Sequence, residues 1–268
     1  MTWRRGVAAA VLGTTFAAVI ASGFLLPHGY EEQSREHPGE GPSATYPLGT
    51  DDLGRDRLAR LAAGARVSLL LAPVAAALST LVAVAVGVAS GFAGPWGAGA
   101  ARVATNLFLS LPWLFLLLAV RALLPLNAGP WPSVAVTFLL LGGLGWAPAA
   151  RVVHGAVAAA RQSGFLLQAR AAGCSPWRLF RVHMLAALRP VAVSQFLLLT
   201  PVFILSEANL SLLGLGVTEP LPSLGNLIRE LENYPTVVAN PWMAAPAVLL
   251  AVVLAAFQLL MREEEVPQ

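Results

Sequence analysis

The sequence predicts an all-α integral membrane protein with six membrane-spanning helices. Of its 268 residues, 57% are hydrophobic and only 12% are charged, and the mean hydropathy is +0.69. Soluble domains carry about 25% charged residues, so this composition argues against a soluble enzyme and against a disordered chain. Charge-free stretches also recur along the sequence, and about 20 apolar residues suffice for one span.

The predicted spans follow these charge-free stretches, with internal Gly and Pro tolerated because neighbouring helices satisfy the freed backbone groups. The first stretch follows Arg4 and Arg5, which also suits a signal peptide. Its length, from Gly6 to Leu26, exceeds an ordinary signal-peptide core of about 7–15 residues and favours an uncleaved helix. The spans lie near 6–26, 68–92, 104–124, 133–150, 190–208 and 242–261.

The distribution of arginine predicts the orientation. The loop 151–189 contains six Arg and no acidic residue, and cytoplasmic loops carry an excess of basic residues. Six spans then place both termini in the cytoplasm. The net charge of +3 fits such a protein, and we expect no nucleic-acid partner. Cys174 is the single cysteine, which excludes an internal disulfide and a cysteine-based metal site.

A polar segment, residues 27–66, follows the first span. Asp51 and Asp52 suit the start of a short helix whose other end carries Arg57 and Arg60, in agreement with the helix dipole. Asp56 and Arg60 are four residues apart and are expected to pair. A solvated interfacial helix is the simplest interpretation. Carboxylates on one short helix do not converge, so no metal site is expected.

The same segment resembles the region after the first helix in the dipeptide/oligopeptide/nickel class of ABC-transporter permeases. The family pattern is L-G-T-D-x-x-G-R-D, then S-R, then G-A-R-x-S-L, and only the Ser differs, being Ala59 here. The resemblance divides the chain into an N-terminal helix with an outer loop, 1–66, and a permease core, 67–268. The motif residues are Gly49, Thr50, Asp51, Gly54, Arg55, Asp56 and Arg66.

The loop 151–189 is predicted to form a helix-turn-helix beneath the membrane. Gly173 supplies the turn, Ser175 the N-cap and Pro176 the first helical position. Apolar side chains then recur every four residues on one face, with arginines on another, so adsorption to lipid headgroups is one interpretation. These residues are Phe180, Met184 and Leu188, and Arg178 and Arg181.

The resemblance gives this loop a second interpretation, since the family docks a short coupling helix of this loop onto an ATPase subunit. Alignment on Gly173 puts Leu167 in place of the family's Glu, and Ala186 in place of a Pro. We expect Leu167 to pack against the neighbouring loop helix or the ATPase. The lone His183 is expected to make packing or polar contacts. The coupling residues implied are Leu167, Gln168, Ala169, Gly173, Ser175, Pro176, Trp177, Arg178, His183 and Leu185.

Residues 207–230 predict a segment that leaves helical geometry close to the membrane, buried in protein, because two Gly and two Pro interrupt it. The run resembles the family sequence E-A-x-L-S-F-L-G-L-G-V-x-x-P-x-P-S-W-G. Glu207 ends a span, and a hydrogen-bonding structural role is favoured over substrate contact. The candidate path or gate residues are Glu207, Gly214, Gly216, Pro222 and Gly225, with Asn127, Thr137, Asn209 and Glu219 as further polar linings.

The sequence contains no nucleophile–base pair and no phosphate-binding G-x-x-x-x-G-K-[ST] loop, so it does not indicate an enzyme. The resemblance implies a permease subunit of an ATP-driven importer of peptides, or similar small solutes such as nickel complexes, in a bacterial inner membrane. Its implied partners are a second permease, two ATP-binding subunits that hold ATP and Mg, an external binding protein and lipid. A degenerate permease-like subunit, structural and without coupled transport, is the alternative.

Overall fold

The computed structural model describes residues 3–92, 95–123 and 129–261, and these residues form helices and connecting loops without a β-strand. An isolated antiparallel bridge joins Thr50 and Asp56. The α-helices of the first part of the chain are α1 (Trp3–Leu25), α2 (Arg57–Phe92), α3 (Pro95–Ser110), α4 (Trp113–Ala122), α5 (Pro130–Leu144), α6 (Trp146–Arg161) and α7 (Gly164–Ala171). Those that follow are α8 (Pro176–Arg178), α9 (Leu185–Leu212), α10 (Leu224–Arg229), α11 (Tyr234–Ala239) and α12 (Ala245–Met261).

Helices of membrane-spanning length and apolarity recur through the described residues. Five helices among the described residues are long and apolar enough to cross a membrane, and a sixth span is obtained when the bent pair Trp96–Ser110 and Trp113–Ala122 is taken as one. Each predicted span falls on one of these segments, so the all-α membrane fold is confirmed. The other five are Trp3–Leu25, Arg57–Phe92, Pro130–Arg161, Leu179–Leu212 and Pro241–Met261.

The third span, predicted as one helix over 104–124, is instead broken. Helices α3 and α4 meet at an angle of 84°. Pro112 lies at the break, where it removes a backbone donor and disfavours helical geometry at Leu111. The backbone N–H of Leu116 then donates to the carbonyl of Pro112 at 3.1 Å, so a new helix starts directly after the break.

The predicted short helix beginning at Asp51 and Asp52 is wrong. Residues 51–56 are not helical, and α2 begins at Arg57 and runs without interruption for 36 residues. Asp56 initiates it, since its Oδ1 accepts a hydrogen bond from the backbone N–H of Leu58 at 2.8 Å. The expected pairing of Asp56 with Arg60 is also wrong, because the Arg60 guanidinium contacts other carboxylates.

Two further spans are longer than predicted. The fourth continues past residue 150 through α6 to Arg161. The fifth is preceded directly by α8 and a six-residue π-helical segment, Leu179–Met184, so helical backbone runs from Pro176 to Leu212. The helix after the Gly173 turn is therefore the beginning of this span and no separate surface helix.

The chain forms two compact units. Unit 1 comprises Met1–Ala72, Arg121–Phe138 and Pro201–Gln268, and α1 and α12 contact each other within it. Unit 2 comprises Pro73–Val120 and Leu139–Thr200. Its buried cluster joins α6 to the loop that follows and consists of Val153, Val157, Leu166, Leu179, Met184 and Leu188.

Two glycines four residues apart on α2 allow α6 to approach closely within unit 2. A Cβ at Gly87 would lie 2.6 Å from Cγ1 of Val153, and one at Gly91 would overlap the side chain of Val157. Small residues at this spacing are a general device for close helix contact in membranes. The packing of α2 on α6 therefore depends on the absence of these two side chains.

We expect Gly87→Ala to destabilise the protein by about 1–3 kcal/mol, the usual cost of overpacking. Gly155→Ala is the matched control, because Gly155 lies on α6 with nothing within 4 Å of its Cβ position and Ala favours a helix by about 1 kcal/mol. Thermal unfolding of both variants in one detergent is the measurement. Equal melting temperatures would contradict close packing at Gly87.

Candidate functional site

The motif after the first helix forms a compact loop. Gly49 and Gly54 have φ of 70° and 73°, and a side chain at Gly54 would overlap the backbone carbonyl of Ser34. The Thr50 hydroxyl donates to the carbonyl of His37 at 2.5 Å and accepts from the backbone N–H of Glu40 at 2.9 Å. These residues fold the loop so that its charged side chains point to common partners.

Arg60 is the centre of this charged cluster. It is only 2% exposed, and its guanidinium lies 2.9 Å from Asp51, 3.0 Å from Glu219 and 2.7 Å from Glu230. The three carboxylates come from separate parts of the sequence. One buried cation therefore ties the motif loop to the two segments on either side of α10.

Two further arginines complete the cluster. Arg55 contacts Asp51 at 2.6 Å and Glu219 at 3.1 Å, and Arg57 contacts Glu230 at 3.2 Å. We call the three arginines and three carboxylates the loop ion-pair network. Charges that share several partners in this way are held more firmly than an isolated surface pair.

The network determines the charge state of Asp51. Burial alone would raise the pKa of this carboxyl, but hydrogen bonds from the backbone and side chain of Arg55, and the charges of Arg60 and Arg55, lower it below its ordinary value. A lowered folded-state pKa means that Asp51 contributes its full stabilisation above about pH 4, the ordinary Asp value. That contribution is lost as the pH falls through the lowered pKa.

A cavity of about 850 Å³ opens beside the network. Its size falls in the range of small-molecule sites. Asp52, Arg229 and Glu232 add further charges to its wall, and all three side chains are exposed. The cavity therefore offers both signs of charge to a polar solute.

Glu207 is fully buried. The hydroxyls of Ser68 and Ser211 donate to its two carboxylate oxygens, each at 2.8 Å. Ser68 also accepts the backbone N–H of Leu224 at 3.0 Å, so the carboxylate joins α2, α9 and the start of α10. This geometry supports the structural role, since Glu207 has no surface to offer to a passing solute.

The segment after α9 is irregular, as predicted, and about half of it is buried. Gly214, with φ of 75°, ends α9 while the backbone N–H of Leu215 bonds to the carbonyl of Leu210 at 2.8 Å. A Cβ at Gly225 would lie 2.7 Å from Cα of Ala208, so α10 packs directly on α9. Pro222 lies between these two helices in the sequence and is buried.

The other sequence-predicted polar linings are dispersed. Thr137 is buried and its hydroxyl donates to the carbonyl of Ser133 on its own helix at 2.9 Å. Glu219 joins the loop ion-pair network, and Asn209 is half-buried on α9. Asn127 lies outside the described residues.

The turn at Gly173 is formed as predicted. Its φ is 77°, and the backbone N–H groups of Gly173 and Cys174 bond to Arg170 and Ala169 at 3.0 and 3.1 Å, which closes α7. The Ser175 hydroxyl accepts the N–H of Arg178 at a long 3.4 Å. Backbone geometry, more than the cap, therefore defines the turn.

The loop from Arg161 to Arg189 has one face buried and another free. Met184 and Leu188 belong to the unit 2 cluster, and Phe180 packs against it. Leu167 is 51% exposed, so the rest of the chain leaves about half of it open, and contact with an ATPase subunit, the other partner expected for it, stays a prediction. We define the loop surface as the exposed apolar residues Phe165, Leu167, Trp177, Val182 and Leu185 with the exposed arginines 161, 170, 178, 181 and 189.

His183 is half-buried, and its ring lies 6.5 Å from that of Phe165. Within residues 3–92, 95–123 and 129–261, no group of three His, Cys, Asp or Glu side chains is arranged to hold a metal ion. The observed ring contact is the packing role expected for this histidine. Gln168 is exposed and Ala169 half-buried beside it in α7.

Comparison with known proteins places these features in a family. Residues 83–262 match the family described as binding-protein-dependent transport system inner membrane component. This chain belongs to that permease family. It is therefore a multi-pass membrane permease component of an ABC transport system and not an enzyme.

Relatives cover nearly the whole chain. The oligopeptide transport system permease protein OppC of Mycobacterium tuberculosis (strain ATCC 25618 / H37Rv) is 31% identical over 246 residues, 91% of this chain and 82% of that protein. The dipeptide transport system permease protein DppC of Bacillus subtilis (strain 168) is 28% identical over 247 residues, 91% and 75% respectively. A putative peptide permease protein of Brucella suis biovar 1 is 30% identical over 225 residues.

Sequence reasoning missed several residues that organise this permease. Ser211 follows Glu207 by four residues, a spacing that puts both on one helix face and was available as a signal. Buried Arg121 holds the carbonyl of Leu215 at 3.0 Å and the hydroxyl of Ser133 at 3.2 Å. Only the fold brings these partners together, as it does for Arg60 and Glu230.

We expect Arg60→Met to destabilise the permease by at least about 1.5–3 kcal/mol, the value of a hydrogen bond to a charged group, because Asp51, Glu219 and Glu230 each lose one of their two arginine partners. The measurement is thermal unfolding in detergent at pH 7. Arg229→Met is the matched control, since Arg229 lines the same cavity from an exposed position, and it should change stability by less than about 0.5 kcal/mol. A similar loss in both variants would contradict a central role for Arg60.

Proposed function

We propose that this chain is a permease subunit of an ATP-driven ABC importer for peptides. It forms the translocation path with a second permease, two ATP-binding subunits that hold ATP and Mg drive it, and an extracytoplasmic binding protein delivers the cargo. The observation that carries the proposal is the match over 91% of the chain to OppC and DppC permeases, whose names specify oligopeptide and dipeptide transport.

The loop surface supports the coupling part of this proposal. Exposed Phe165, Leu167 and Trp177 are 50%, 51% and 68% exposed, and large exposed apolar residues grouped with Arg are typical of protein interaction surfaces. The buried cluster beneath them fixes the loop to α6. A partner that docks here would move α6 and α9 together, as an alternating-access mechanism needs.

The charge distribution supports an orientation with both termini cytoplasmic. Every acidic residue of the chain lies in unit 1, and unit 2 contains seven arginines and no acid. Since basic residues accumulate in cytoplasmic loops, the loop surface is proposed to face the cytoplasm. The motif loop and its cavity then face the other side.

Cysteine labelling in intact spheroplasts tests this orientation in a Cys174→Ser background. Ala158 and Ala44 are both exposed alanines, one on α6 and one in the loop after α1. A membrane-impermeant maleimide should label Ala44→Cys and leave Ala158→Cys unlabelled until the membrane is permeabilised. Labelling of Ala158→Cys from outside would overturn the topology.

Leu167→Glu tests docking of an ATP-binding subunit at the loop surface. Burying a Leu contributes about 1.5–3 kcal/mol, so the variant should bind that subunit at least about tenfold more weakly and lose peptide-stimulated ATP hydrolysis in the reconstituted complex. Gln168→Glu is the matched control, with the same introduced charge on the neighbouring exposed residue.

The outcomes separate the candidate functions. Equal loss in both variants would indicate a charge effect and contradict apolar docking by Leu167. A gain of coupling in Leu167→Glu would show that the site is damaged and would favour a structural permease-like subunit. Uptake assays with a dipeptide, an oligopeptide and a nickel complex determine the cargo, with nickel uptake alone contradicting the peptide assignment.

A further inference from the structure

Unit 2 contains a small polar cavity among its apolar helices. The cavity has a volume of about 140 Å³, equal to the share of about four or five water molecules in the liquid. Residues of α2, α3 and α6 form its wall. The polar ones are Ser90, Arg102, Thr105, Asn106, Arg151 and His154.

The charges of this cavity are all of one sign. Arg102 and Arg151 line it, and unit 2 contains no acidic residue in its sequence. No ion pair involves either arginine among the described residues. Both arginines are exposed, so they are open to a negatively charged partner, and pairing would offset the cost of unpaired charge near a bilayer.

Hydrogen bonds orient the polar side chains. Arg151 donates to Oδ1 of Asn106 at 2.7 Å, while Arg102 uses its Nε to bond the carbonyl of Ala98 on its own helix at 3.2 Å. The Arg102 bond leaves its two terminal nitrogens for a ligand. Arginine forks of this kind match the oxygens of a phosphate.

Ser90 orients the ring of His154. The Ser90 hydroxyl lies 2.7 Å from Nδ1 of His154 and 2.8 Å from the carbonyl of Gly87. Nε2 is then the ring nitrogen left for a ligand, and it donates to a phosphate oxygen when it carries the proton. The close approach of α2 to α6 at Gly87 places these two side chains together.

Exposed aliphatic residues directly follow three of the lining residues in the sequence. Val103 follows Arg102, Leu107 follows Asn106 and Val152 follows Arg151 in sequence, and they are 59%, 64% and 48% exposed. A ligand with a phosphate and hydrocarbon chains would meet both features at once. Free phosphate would use only the polar part.

The cavity lies close to helix ends. Ser90 is two residues before the end of α2, Arg102 seven residues after the start of α3 and His154 seven residues before the end of α6. Seven residues of helix measure about 10 Å. In the orientation proposed above, this depth is that of the cytoplasmic headgroup layer, which arginine side chains reach by snorkelling.

We propose that this cavity binds the phosphate of an anionic phospholipid of the cytoplasmic leaflet, through Arg102, Arg151 and His154, with the acyl chains lying along Val103, Leu107 and Val152. Basic pockets between membrane helices on the cytoplasmic side bind anionic headgroups in general. The cytoplasmic placement of this site rests on the proposed orientation, but lipid binding does not depend on cargo or on ATP-binding subunits, so a failure of transport and a failure of lipid binding are distinguishable.

Native mass spectrometry of the purified full-length chain in detergent tests the site, by titration with phosphatidylglycerol and with phosphatidylcholine of the same chains. The wild type should retain phosphatidylglycerol selectively. Each arginine near a headgroup contributes about fivefold in affinity, so Arg102→Gln/Arg151→Gln should bind it about 25-fold more weakly. Binding of phosphatidylcholine should not change.

Arg170→Gln/Arg189→Gln is the matched control, with the same loss of charge at exposed positions of unit 2 that do not line the cavity. Equal weakening in both double variants would overturn the site in favour of general attraction. Arg102→Lys/Arg151→Lys keeps the charge and should retain most of the binding, which guards against misfolding of the Gln variant. Displacement of the lipid by millimolar inorganic phosphate would assign the site to a free anion, displacement by a dipeptide would assign it to a peptide, and either result would contradict the lipid.

Discussion

The position of one buried guanidinium determines how unit 1 is assembled. Arg60 has almost no contact with solvent and bonds carboxylates from the motif loop, from the irregular segment after α9 and from the end of α10. A cation in such a place is stable only while its partners stay, because an uncompensated buried charge costs several kcal/mol. The three segments are therefore held to each other by a requirement of charge and not by apolar packing alone.

The position of α10 also determines the surroundings of Glu207. With α10 in place, the backbone N–H of Leu224 reaches Ser68, which in turn donates to Glu207. The ion pairs and the buried carboxylate thus share α10 as a common support. Glu207 alone looks like an intramembrane functional acid, but its complete set of partners makes it a joint between helices.

The sequence was sufficient for the class of fold and for the larger elements, because hydropathy and charge act over whole helices. It also located the turn at Gly173, where a left-handed backbone demands Gly. Local sequence patterns gave wrong predictions where a contact with a more distant residue determines the structure. Asp51 and Asp52 have the composition of a helix start, yet Asp51 bonds Arg55 and Arg60 and the helix starts only at Arg57.

The candidate site shows the same limit. The motif residues 49–56 could be selected from their resemblance to a family, but not the pairing of Arg55 with Glu219 or of Arg60 with Glu230, partners that lie more than 150 residues later. Leu167 was expected to pack against the neighbouring loop helix or an ATPase subunit, and within the chain it is the neighbouring Leu166 that is buried. Successive side chains on a helix point about 100° apart, so the sequence pattern alone cannot decide whether residue 166 or residue 167 is buried.

The burial of Leu166 and the exposure of Leu167 bear on the coupling role proposed for this loop. The shape of the loop depends on Gly173 and on the buried side chains of Leu166, Met184 and Leu188, and position 167 is not among them. A Leu at position 167, where the pattern that the sequence resembles has Glu, therefore alters the surface that the loop presents to a partner and not the shape of the loop. An apolar side chain at that point favours a partner whose groove is apolar there, since an unpaired carboxylate or amide facing Leu167 would lose its solvent without gaining a hydrogen bond.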